Sequence, residues 1–182
     1  RKIKNFSRKN PSNLSGIALG LHTASHLDAP LHYLKSGRPV DKVLLEKCIG
    51  WCRVLNLTKN KKEITEKDIQ RAKLRRGEIV LLKTRNSRTT KRFDKNFVHI
   101  TDGAAHFLVK SKVKAVGTDG PSIRKFRLKP DTVHPRLLRA GVLIYEGLDL
   151  RSIPPGHYYF IGLPLKISGG EASPVRAVAI KR

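Results

Sequence analysis

Apolar positions in this chain fall into short blocks separated by Gly, Pro and charged residues. None approaches the ~20 apolar residues that a membrane-spanning helix needs. Residues 1–15 are polar and read as partly extended, with Pro11 as a breaker. Gly16–Leu21 is a short apolar run that reads as a strand, and Val43, Leu44, Leu45 and Ile49 suit a short helix. Trp51–Leu57 alternates apolar with polar or small residues, the period of a half-buried strand. Glu78–Thr84 (E-I-V-L-L-K-T) is continuously apolar at its centre, as expected of a strand buried on both faces. Val113–Gly117, Val142–Tyr145, Tyr158–Ile167 and Val175–Ile180 read as further strands.

Helical spacing appears between these blocks. Thr65 can cap a helix with Asp68 three residues on, Ile69, Ala72 and Leu74 supply its apolar side, and Gly77 ends it. Thr101 or Asp102 opens a second helix with Ala104, Ala105, Leu108 and Val109 facing inward, and His134–Ala140 forms a third, stopped by Gly141. Arg85–Phe97 is basic and aperiodic and fits a mobile loop. Strands alternating with helices over most of the chain predict an α/β fold.

The 182 residues fit one domain, spanning 1–182. Methionine is absent, even at position 1, as expected of a fragment or of a sequence from which some residues were dropped. Cys48 and Cys52 have neither redox nor zinc-knuckle spacing and read as buried free thiols of a cytoplasmic protein. Lys and Arg total 38 against 14 acidic residues, a formal charge of +24. Such a field attracts polyanions. The basic runs, however, sit where loops and solvated helix faces are expected, without aromatic interleaving or a nucleic-acid motif. A solvated basic surface is the reading adopted, and no nucleic-acid or membrane partner is expected.

The chemistry concentrates in H-T-A-S-H-L-D-A-P-L-H, His22 to His32. Imidazole and carboxylate are ligand types for zinc, manganese or iron. In a helix His22 and His26 would share one face, and Asp28 and His32 would share one. In an extended chain the even spacing of His22, His26, Asp28 and His32 points all four the same way. Pro30 disfavours a continuous helix, so the extended reading is preferred.

This stretch resembles the H-x-G-T-H-x-D-x-P-x-H signature of the putative cyclase family of metal-dependent hydrolases, which includes bacterial kynurenine formamidase. Ala24 stands where glycine is usual and Ser25 where threonine is usual. The alanine methyl matters if that backbone needs positive φ. Thr118–Ser122 lies in a G-x-D-x-P-S segment that also resembles the family. There an acidic residue often follows the serine, whereas here Ile123 and Arg124 follow, and no role is carried over. Gly162–Ile180 resembles the family's closing segment, so the similarity runs from about Gly16 to Ile180. The resemblance implies a mixed β-barrel-like core flanked by helices, of the swivelling β/β/α type. It also implies an N-terminal strand and substrate loop that this chain lacks, and a homodimer or tetramer.

In the family a downstream histidine and a glutamate twelve residues later complete the ligand set, and His134 and Glu146 stand twelve apart. Glu146 directly follows the apolar V-L-I-Y, where burying an unpaired carboxylate is costly and a metal would offset the cost. The resemblance implies two divalent ions, zinc or manganese. His22, His26 and Asp28 would hold one and His134 the other, with Asp28 and Glu146 bridging. A hydroxide they share would attack an amide carbonyl, with His32 as proton shuttle. The activity expected is arylformamidase-like, splitting N-formylkynurenine into kynurenine and formate. Hydrolysis of another cyclic amide or ester, a non-catalytic nucleic-acid-associated member and a structural single-metal site are the alternatives. His99, His106 and His157 have no ligand partner at useful spacing and are set aside.

Overall fold

The computed structural model describes every residue except 1, 6, 8, 10, 61, 89–92 and 182. An eight-stranded mixed sheet forms the body, in the order β11(Ala172–Pro174), β3(His26–Asp28), β9(Leu143–Glu146), β8(Ala115–Thr118), β6(Ile79–Lys83), β4(Ile49–Asn56), β10(Gly156–Ile161), β12(Val178–Ile180). Two small pairs lie outside it, β1(Lys2–Lys4) with β2(Leu14–Ser15) and β5(Glu63–Ile64) with β7(His99–Ile100). The central strands β4, β6, β8 and β9 are parallel, and β3, β10, β11 and β12 add antiparallel flanks. Helices α1(Glu66–Gln70), α2(Asp102–Lys110) and α3(Val133–Arg139) make the crossovers between the parallel strands, as parallel pairing requires.

The sheet must curl. Its edge strands β11 and β12 are consecutive in sequence, and Pro174 to Val178 is only four residues, a reach of at most ~14 Å. Eight strands laid flat would hold their edges ~33 Å apart. The bridge from Pro164 to Val175 and the bond from Val175 N to Ser25 O help fasten the seam. The barrel-like α/β core expected from the resemblance is therefore present.

Both faces of the central strands are covered. Val80, Leu82, Val116 and Ile144 face outward and pack under Ala104, Ala105 and Leu108 of α2 and Leu137 and Leu138 of α3. Ile79, Leu81, Ala115, Leu143 and Tyr145 face the inside of the curl with Leu27, Val54 and Phe160. Two-sided burial explains the unbroken apolar run of β6.

Several elements differ from the sequence expectation. Gly16–Leu21 forms no strand and is mostly exposed, because no sheet edge reaches it. Helix α1 stops at Gln70, short of the predicted Gly77, although Thr65 and Asp68 form the expected capping box. The predicted helix around Val43–Ile49 is a 3-10 turn over Leu45–Lys47, with Ile49 already opening β4; the Tyr158–Ile167 strand ends at Ile161, and of the predicted Val175–Ile180 strand only Val178–Ile180 is strand. The basic loop after β6 begins with a 3-10 turn over Arg85–Arg88, and 89–92 of that prediction lie outside the described residues. Cys48 and Cys52 are free and buried, as expected. Among the described residues no helix is long and apolar enough to cross a membrane.

Candidate metal centre

The histidine motif is not one extended segment, which corrects the sequence expectation. Only His26–Asp28 is strand, as β3; His22 sits in the preceding turn and His32 ends a 3-10 turn over Pro30–His32. Two bends cause this. Ala24 adopts φ +56°, which reverses the chain between His22 and His26. Pro30 starts the 3-10 turn, consistent with its fixed φ. All four side chains still converge on one locus. His26 and Asp28 share a face of β3 by two-residue alternation, the turn folds His22 back over them, and the 3-10 turn brings in His32.

Strand pairing supplies the second half. β3 lies antiparallel to β9 with His26 opposite Glu146, so the two side chains project to the same face. Helix α3 carries His134 over that face. His134 Nε2 lies 3.1 Å from Glu146 Oε1 and 3.7 Å from Asp28 Oδ2. His26 Nε2 lies 3.5 Å from Glu146 Oε2 and 3.4 Å from Asp28 Oδ1, and His22 Nδ1 lies 3.0 Å from the same Asp28 oxygen. His32's ring centroid is 4.2 Å from that of His22 and 5.7 Å from that of His134. The structure thus brings together all six side chains singled out in the sequence. His99, His106 and His157 take no part in the cluster.

The two carboxylates divide between the histidines. Asp28 turns Oδ1 to His22 and His26 and Oδ2 to His134; Glu146 turns Oε2 to His26 and Oε1 to His134. Asp28 and Glu146 are buried, as are His26 and His134. Burial opposes charge on His26, but the Asp28 and Glu146 carboxylates outweigh it and raise its pKa to about 10. Burial likewise opposes charge on His134, yet Asp131 and Glu146 raise it to about 9. Burial disfavours the Asp28 carboxylate, but His22 and His26 hold its pKa well below the usual range. His32 moves the other way: burial lowers its pKa, and the neighbouring His22 and His134 add repulsion that Asp28 only partly opposes.

His26 Nε2 and both oxygens of Asp28 are buried without any aligned hydrogen bond. Buried polar atoms are almost always satisfied, so three unsatisfied atoms facing one another are a fit for a cation. Ligand atoms of His22, His26 and Asp28 come close enough to share an ion, and so do those of Asp28, His32 and His134. The donor set of imidazole and carboxylate suits zinc or manganese alike.

Neighbouring residues to which the sequence assigned no role fix this arrangement. His26 Nδ1 faces Ala24 O at 2.9 Å, which aims Nε2 into the cluster. Ser25 Oγ donates to Gly147 O at 2.7 Å, tying the turn to the end of β9. The unassigned G-x-D-x-P-S segment and the residue after it supply Ser122 Oγ and Ile123 N, both donating to Glu146 Oε1. Glu171 Oε1 lies 3.5 Å from His22 Nε2. Asp119 accepts from the backbone and hydroxyls of Thr84 and Ser87, anchoring the 3-10 turn after β6 beside the site.

A cavity of about 390 Å³ opens beside His22 and His26, walled by Arg85, Phe93, Phe97 and Asp119. It lies just past the C-terminal ends of β6, β8 and β9, where α/β sheets commonly bind ligands.

A family model described as putative cyclase matches residues 3–125. The chain is 36% identical over 167 residues to a kynurenine formamidase of Salinibacter ruber (strain DSM 13855 / M31), covering 91% of this chain and 79% of that protein. Among solved structures it resembles a predicted metal-dependent hydrolase from Bacillus stearothermophilus, with a TM-score of 0.86, 32% identity, and coverage of 98% of this chain and 84% of the other. Isatin hydrolase A from Labrenzia aggregata, bound to benzyl benzoate, shares the fold with a TM-score of 0.88 at 24% identity, over 98% of this chain and 81% of its own.

Proposed function

The chain belongs to the putative cyclase family, and from that membership we propose that it is a metal-dependent hydrolase of amide-type C–N bonds with arylformamidase-like preference. The observation that carries this reading is the pair of buried carboxylates, Asp28 and Glu146, each dividing its oxygens between histidines, with His26 Nε2 and Asp28 left unsatisfied. His22, His26 and Asp28 would hold one divalent ion, zinc or manganese; His134, with Asp28 and Glu146, would hold a second. Such ions supply Lewis acidity, lowering the pKa of water towards ~7 and polarising a carbonyl oxygen.

The remaining work falls to the chain itself. His32 is half-buried at the rim of the cluster and its pKa is depressed, so its ring is neutral near pH 7. A neutral imidazole nitrogen can accept the proton released by the attacking water and return it to the leaving amine nitrogen. Phe93 and Phe97 give the cavity apolar wall for an aryl group, and the cavity volume suits a small-molecule substrate.

A second reading of His32 rests on its proximity to Asp28 and His134, which makes it a candidate ligand. His32→Ala separates the two. As a proton shuttle its loss abolishes turnover with ion content unchanged; as a ligand its loss also removes an ion. The function itself is tested by stripping the protein with chelator, restoring zinc or manganese, and assaying N-formyl-arylamines against cyclic amides and esters. Metal-restored cleavage of the formyl-arylamine is expected. Activity confined to esters or cyclic amides would overturn the arylformamidase preference, and equal activity in stripped protein would overturn metal dependence.

A further inference from the structure

His134 is held from three sides by residues that nothing above gives a role in the reaction. Asp131, one turn earlier in sequence, places Oδ2 2.8 Å from His134 Nδ1. Its other oxygen, Oδ1, accepts from the backbone N–H groups of Val133 and His134 at 3.1 and 3.2 Å, capping the start of α3. Arg124 Nε lies 2.7 Å from Asp131 Oδ2 and fixes the carboxylate from the far side. Tyr33, the residue after the histidine motif, stacks on the His134 ring at 4.6 Å with planes 9° apart. With the ring plane fixed by Tyr33 and Nδ1 occupied by Asp131, only Nε2 remains to face Glu146 and Asp28.

We infer that Asp131, clamped by Arg124, is a positioning residue that holds His134 as the Nδ1–H tautomer with the Nε2 lone pair turned to a divalent ion. An ionised carboxylate only accepts hydrogen bonds, so in the ion-loaded protein the single ring proton must sit on Nδ1. Carboxylate partners of this kind orient metal-binding histidines and raise their basicity. Arg124 stands where the family resemblance leads one to expect an acid, and it holds Asp131 from seven residues earlier in the same connection between β8 and α3. The inference rests on the two-ion reading proposed above.

Asp131→Asn tests it. Asparagine Oδ1 can keep both bonds to the start of α3, so the fold is retained. Its amide group, however, presents a donor to Nδ1, which forces the ring proton onto Nε2 and blocks ligation. Wild type, Asp131→Asn and His134→Ala are stripped of metal and titrated with Zn²⁺ against a chromophoric chelator, and each apoprotein is melted. The wild type should take up two ions. Asp131→Asn should weaken the same ion that His134→Ala removes, by tenfold or more, with an apoprotein Tm within about 4 °C of wild type, since both bonds to the start of α3 remain. Unchanged affinity for both ions in Asp131→Asn, with or without a lower Tm, would overturn the positioning role while leaving the two-ion reading intact. Absence of Zn²⁺ uptake by the wild type would instead sink that reading. Should Asp131→Asn not fold, ¹⁵N shifts of His134 in the zinc-loaded wild type decide: a protonated Nδ1 supports the assignment and a protonated Nε2 overturns it.

Discussion

Replacing Gly147 with alanine should destabilise the protein and disturb the metal centre together. Gly147 follows Glu146 at the end of β9 with φ +64°, a conformation costing an alanine about 1–2 kcal/mol. An added Cβ would also lie 2.4 Å from Ala24 O and 2.9 Å from Ala24 C, both backbone atoms of the turn between His22 and His26. The turn must move, because no flexible side chain can yield instead. Moving it breaks the Ser25 Oγ to Gly147 O bond, worth about 1 kcal/mol. Together these come to about 2–3 kcal/mol before any relaxation of the turn, or ~4–12 °C in Tm for a chain of this size. His22 and His26 ride on the turn, so divalent ion affinity should fall by tenfold or more. Thermal melts of stripped protein and a Zn²⁺ titration read the two effects. A Gly147→Ala protein that melts within 1 °C of wild type and binds ions unchanged would show that the two segments do not approach as closely as described.

Other outcomes follow from the same geometry. The folded-state pKa values of His26 (about 10) and His134 (about 9) lie above the ordinary 6.5, so the pairing of His26 with Asp28 and Glu146 and of His134 with Asp131 and Glu146 stabilises the metal-free protein fully below about pH 6.5. That contribution is lost as pH rises through 9 and 10; urea melts of chelated protein should show stability falling across that window, and a rise would contradict the pairing. Asp119→Ala removes the acceptor for Thr84 and Ser87, buried donors whose loss costs about 2–4 kcal/mol in total. Because Ser87 and Asp119 line the cavity, KM should rise as well as Tm fall, and an unchanged KM would separate Asp119 from the substrate pocket. His32→Ala should abolish turnover at unchanged zinc content, measured by elemental analysis; retained turnover would remove the proton-shuttle role.

The elements legible in sequence were those whose environment is simple. β6 is covered on both faces, so its apolar run is unbroken and unmistakable. Helix α2 starts at Thr101 because that side chain can bond Ala104 N, a purely local device. β11 was hidden because A-S-P carries neither alternation nor β-branched residues, and it is a strand only by pairing with β3. At the site, ligand identities were readable but their path was not. Even spacing suggested one extended segment, whereas the left-handed Ala24 and the 3-10 turn at Pro30 deliver His22 and His32 from either side. Tyr33 could not be grouped with Arg124 and Asp131 in advance, since only the packing of α3 against the motif stacks it on the His134 ring that Asp131 holds. Asp131 alone left a local trace, three residues before His134 at a helix start.

The central claim is that two separate segments, His22–His32 and His134–Glu146, close around divalent ions. Anomalous diffraction at the zinc edge from zinc-reconstituted crystals measures this directly. Two peaks per chain are expected, one contacting His22, His26 and Asp28 and the other contacting His134 and Glu146. No peak between Asp28 and Glu146, or zinc bound only at surface histidines such as His106 or His157, would contradict it.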